Sequence, residues 1–128
     1  MPDETVGLKE LLARFIVQSR WLRADKTLRP EALIPHPYPD LSVTRHGDLT
    51  EPLLWQIGKA IADAIPKTLY GRADVSARVF AEQRLRVVVA PTDNNPNHVN
   101  VVDWPAEKSA QKMVAQEICA RVSNVKLI

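Results

Sequence analysis

Residues 85–105, LRVVVAPTDNNPNHVNVVDWP, constrain this chain more than any other window. Two β-type runs, Leu85–Ala90 and His98–Val102, flank a loop dense in turn formers, Thr92-Asp93-Asn94-Asn95-Pro96-Asn97. Branched side chains suit a pleated strand, and Asn, Asp and Pro suit the bend between. A hairpin with a wide loop is the simplest pairing. Val87, Val88, Val89 and Ala90 are apolar on both faces, which predicts a central strand covered on each side and ended by Pro91. In the returning strand Asn100 points opposite to Val99 and Val101. Asp103 or Trp104 then caps a final helix with Pro105 in its first turn. Ala106, Ala110, Met113, Val114, Ile118 and Val122 supply its inner face, and Glu117 is spaced to pair with Arg121.

Upstream, Leu8, Leu11, Leu12, Phe15, Ile16, Ser19 and Leu22 follow 3.6-residue spacing, which predicts a helix over 5–23. Its stripe needs cover, from the domain's own sheet or from a partner chain. Residues 26–40 hold Pro30, Pro35, Pro37 and Pro39 and form a Pro-rich loop. Residues before proline are pushed toward extended geometry, so IPHPYPD takes polyproline II character. A long irregular stretch marks a linker or a functional loop, and the helix before it reads as semi-detached.

Leu41–Arg45 alternates as a short strand, and His46-Gly47-Asp48 is a turn. Thr50 caps a helix with Glu51 and Pro52 in its first turn, Leu53, Leu54, Ile57, Ala60, Ile61, Ala64 and Ile65 on its buried face, and Pro66 as its stop. Tyr70-Gly71-Arg72 reads as a tight connection. Residues 76–83 fit a two-turn helix capped by Ser76, although Val75, Ala77, Val79 and Ala81 also alternate like a strand. The tail SNVKLI is too short to assign.

The expected fold is therefore one α+β domain over 1–128, a sheet of three or four short strands packed by three or four helices. A chain of 128 residues that is 45% hydrophobic and 25% charged supports its own core without metal or cofactor. The single Cys119 excludes an internal disulfide and reads as a buried apolar side chain. Seventeen basic against 15 acidic residues, net +2, give no mandate for nucleic acid or an anionic membrane. The basic bias of Lys9, Arg14, Arg20, Arg23, Lys26 and Arg29 reads as a solvated face. No run approaches the ~18–20 apolar residues of a membrane span. The acidic start MPDETVGLKE lacks a secretory pattern, so the cytoplasm is the expected location.

Candidate chemistry is sparse. His98 stands where an Asn-rich loop becomes a strand, as an acid or base would. Asp103 ends the same strand on the opposite face, which argues against a direct dyad. The competing reading has His98 bonded to loop backbone and Asp103 capping the helix. Arg45, His46, Arg72 and Asn95 are candidate ligand-binding residues, because arginine forks grip phosphate or carboxylate. His36, His46 and His98 are too scattered for a metal site. No phosphate-binding glycine loop or nucleophile motif occurs.

The block NNPNHVNVVDWPAEKSAQKMVAQ, spanning about the last third of the chain, resembles the carboxy-terminal end of small uncharacterised bacterial proteins. Those share an Asn-Pro-x-His step, a strand and a Trp-Pro helix start. The resemblance implies work beside a partner and carries no residue role. Two function classes follow. One is a non-enzymatic interaction module that binds a protein partner or itself through residues 5–40. The other is a small enzyme or anion-binding protein with Arg45, His46, Arg72 and His98 in one site.

Overall fold

The computed structural model describes residues 5–122 and 125–128. At its centre lies a strand, β1, Leu11–Ile16, where the 5–23 spacing predicts a helix. The correction has a simple cause. Leu12, Ala13, Phe15 and Ile16 are all buried, so β1 is covered on both faces. A doubly covered strand shows no clean alternation, and Leu11, Leu12, Phe15 and Ile16 satisfy helical spacing just as well.

β2, Leu41–Arg45, runs antiparallel on one side of β1, with Ala13 opposite Thr44. β3, Gly71–Ser76, runs antiparallel on the other side, with Phe15 opposite Arg72 and Ala13 opposite Asp74. β4, Arg86–Val89, and β5, His98–Val102, form the expected hairpin, and β5 docks on β2. β6, Val125–Leu127, closes the far side against β3. The spatial order is β4-β5-β2-β1-β3-β6, all antiparallel. The architecture is α+β with six strands, not three or four. The extra strands come from the segment read as a helix, the stretch read as a connection at Gly71, and the unassigned tail. The valine strand β4 is an edge, not a centre: Arg86 and Val88 are exposed.

α1, Glu51–Ala64, starts where Thr50 Oγ1 accepts the Leu53 N–H at 3.4 Å. It packs Leu54 and Ala62 with Ala13, Phe15 and Leu69, and Glu51 and Trp55 of the helix meet Arg72 of β3. Its buried line is Leu54, Gly58 and Ala62, while Leu53 and Ile65 of the expected stripe are exposed. The Phe15 ring causes the rotation. It lies against Gly58, where a methyl would sit within 3.0 Å of three ring carbons. α2, Ala77–Glu82, is capped by Ser76 Oγ, which accepts the Arg78 N–H.

α3, Lys108–Ala120, starts later than Trp104-Pro105 suggests. Asp103 takes a positive φ of 71°, and the Pro105 carbonyl accepts from Gln111 Nε2 at 2.8 Å. The helix buries Gln111, Ala115 and Ile118, and leaves Met113 exposed. Arg121 pairs with Glu82 rather than Glu117. α3 covers the opposite sheet face together with a short turn of 3-10 helix, Pro30–Leu33. Leu12, Ile16 and Trp21 of residues 5–23 pack in this main core together with Leu28, Ala32 and Leu33. The Pro-rich loop closes in a turn, with the Tyr38 N–H donating to the Pro35 carbonyl at 2.9 Å, and is not polyproline II.

Candidate functional site

α1 divides its face of the sheet in two. Under the helix, Arg72 and Asp74 of β3 point at it, two residues apart on one face. Beside the helix, β2, β5 and β4 carry a row in register: Ser42, Asn100 and Val88. Ser42, Val88 and Arg86 are exposed, and His98, Asn100 and Val102 half-buried, so this half of the face is open.

The Arg72 side chain is 0% exposed. Its Nε donates to Asp74 Oδ1 at 3.0 Å and its Nη2 to Glu51 Oε1 at 2.7 Å. Its guanidinium lies 4.6 Å from the Trp55 ring centre, a favourable cation–π distance. Nη1 is buried without a hydrogen-bond partner among the described residues. Burial alone lowers the Arg72 pKa, but the two carboxylates outweigh it and raise it further. Asp74 Oδ1 also meets His46 Nε2 at 2.8 Å. An ionised carboxylate only accepts, so His46 carries its hydrogen on Nε2. Burial resists ionisation of Asp74, but the bonds from His46 and Arg72 prevail and hold its pKa below the usual carboxylate value.

His46 and Arg72 thus meet through Asp74. Arg45 does not join them. Its fork grips Glu10 at 2.7 and 2.8 Å on the other face, opposite Leu12. His98 stays apart as well. Its Nδ1 lies 2.7 Å from the Ala90 carbonyl, which only accepts, so Nδ1 holds the hydrogen and Nε2 is the acceptor of the neutral ring. Asp103 pairs with Arg86, whose bond lowers its pKa, and not with His98. Asn95 is buried and its amide is structural: Nδ2 donates to Thr44 Oγ1 at 2.8 Å, and Oδ1 accepts the Asn97 N–H. Asn97 in turn donates to the Arg45 carbonyl, which ties the 92–97 loop to the end of β2.

Sequence reasoning missed Glu51, Trp55 and Asp74 as partners of Arg72. The signal was present. Glu51 and Trp55 are one helical turn apart, and Arg72 and Asp74 share a strand face. It missed Arg14 too, whose Nε donates to the Ala32 carbonyl at 2.7 Å and Nη1 to the Ser42 carbonyl at 3.1 Å, over the Trp21 ring. Burial draws the Arg14 pKa down to about 10, which leaves it charged at neutral pH.

Chemically, the arrangement neutralises charge rather than presenting it. Neither His46 nor His98 bonds a serine, threonine or cysteine among the described residues. The Cys119 thiol donates to the Leu28 carbonyl, and burial pushes its pKa up, away from the thiolate a nucleophile needs. Among the described residues no group of three His, Cys, Asp or Glu could hold a metal, and no helix is long and apolar enough to cross a membrane. No protein-family model, curated protein or solved structure matches the chain.

Proposed function

We propose that this chain is a protein-interaction module that docks its partner on the open half of the sheet, along β4, β5 and β2. One observation carries the reading: the row Ser42, Asn100 and Val88 ends at an edge strand that pairs with no further strand among the described residues, with Ser42 and Val88 exposed. Exposed sheet edges are sites of strand addition, where main-chain bonds give affinity and alternate side chains give specificity. Within residues 5–40, β1 is the buried centre of the sheet, which favours the open half over that segment as the docking surface. The rival, an enzyme or anion site around Arg45, His46, Arg72 and His98, has less support, since Arg45 and Arg72 are already paired with carboxylates.

The test compares two baits in an extract of the native source, the wild-type chain and Val88→Arg, with matched circular dichroism and melting. Proteins recovered by the wild type and lost with Val88→Arg are the expected result. The same set on both baits would overturn the docking surface.

A further inference from the structure

The open half commits to a particular occupant at its edge. We infer that β4 pairs with β4 of a second copy, antiparallel about a two-fold axis at Val88, so that two sheets become one. This rests on the reading of the open half as a docking surface.

The hydrogen-bond phase of the strand carries the inference. The Ala90 N–H donates to the His98 carbonyl of the neighbouring strand at 2.9 Å. Antiparallel ladders alternate, so Arg86 and Val88, at steps of two, turn their backbone groups to β5. Val87 and Val89 turn theirs outward, symmetrically about Val88. An identical strand laid antiparallel satisfies both in one register, Val87 opposite Val89 of the copy and the reverse. Val88 then faces itself as a non-hydrogen-bonded pair, with Cα atoms about 4.5 Å apart. That pairing covers a valine now 40% exposed.

Nothing in this register repels. Arg86 falls opposite Ala90 of the copy, not opposite another cation, and it is already paired with Asp103. No proline interrupts β4, and Pro91 lies beyond it. The other edge is defended. β6 has three residues and carries Lys126, a side chain typical of blunted edges, in a salt bridge to Glu51 at 3.4 Å. The two edges are therefore unequal, and the valine edge is the one left to pair.

Sedimentation of the full chain is expected to show a concentration-dependent dimer. Val87→Pro removes an outward N–H and trims a side chain packed on the main core, so it is expected to give a monomer that still folds, with a lower melting temperature. In a Cys119→Ser background, Val88→Cys is expected to cross-link under mild oxidation, since its Cα separation suits a disulfide, while Arg86→Cys stays uncross-linked. A wild-type monomer at every concentration would overturn self-pairing, yet loss of capture by Val88→Arg bait would still sustain the docking surface. A dimer that survives Val87→Pro, or equal cross-linking of both cysteine variants, would place the contact elsewhere and also overturn it.

Discussion

The two halves of the sheet face that α1 divides are built on opposite terms. The covered half buries the Arg72 guanidinium, with Asp74 and His46 largely enclosed beside it, Glu51 reaching in from the exposed start of the helix, and Phe15 fitted against Gly58. The open half, β2, β5 and β4, is mostly neutral and small on its outer surface: Ser42, Asn100, Val88 and Val102. The difference teaches that apolar content and centrality are uncoupled here. The strand with the triple valine lies at the rim, and the strand GRADVS, with Arg and Asp, lies next to the centre. A charge can be buried when it is paired and hydrogen-bonded, and a valine can be exposed when something else is meant to cover it.

That contrast can be broken at three points. The largest effect belongs to Arg72→Ala, which leaves the Asp74 carboxylate, 10% exposed, with His46 alone. Removing one partner of a buried pair costs about 3–5 kcal/mol, and urea unfolding should read that loss. A cost below about 1 kcal/mol, the range of surface pairs, would mean that the covered half does not depend on the network. The same variant has a pH signature. The folded pKa of Asp74 is depressed, so its contribution is complete above about pH 4, the unfolded value. It drains away as pH falls toward the folded pKa, because the unfolded chain then binds the proton first. Without Arg72 that acid-side slope should flatten.

Next in size is Gly58→Ala. Overpacking against the Phe15 ring should destabilise by about 1–3 kcal/mol. Alanine otherwise favours a helix over glycine by about 0.8–1.0 kcal/mol, so the sign of the change decides whether the ring can give way. A second substitution, Phe15→Leu, should restore part of the loss. The smallest effect is expected in the open half. Val88→Thr, measured at low protein concentration, should stay within about 0.5 kcal/mol of wild type by thermal unfolding. A loss as large as that at Gly58 would show that Val88 is core, and the distinction between the halves would fail.

How much of this was legible beforehand depended on local chemistry. The hairpin of β4 and β5, the Thr50 cap and the Ser76 cap each rest on neighbours in sequence, and each was readable. β1 was not, because cover on both faces erases the period that identifies a strand. β3 was not, because its charges are satisfied by Glu51 and Trp55, which lie about 20 residues away in the chain. The delayed start of α3 was hidden by Pro105, whose carbonyl engages Gln111 before the helix begins. Arg72, His46 and His98 were nameable as candidates, but their actual partners are products of topology: a ladder register for Asp74, a loop return for Ala90.

The Arg14 bridge has a consequence of its own. Ala32 and Ser42 stand at the two ends of the proline-rich excursion, and one planar fork holds both carbonyls from below. The excursion is therefore closed at its neck, with Tyr38 at 72% exposure on its crown. A foreign peptide spliced in at that crown would be carried on a collar the sheet already clamps. Lysine, whose ammonium lacks that rigid planar fork, would hold the two sides less firmly.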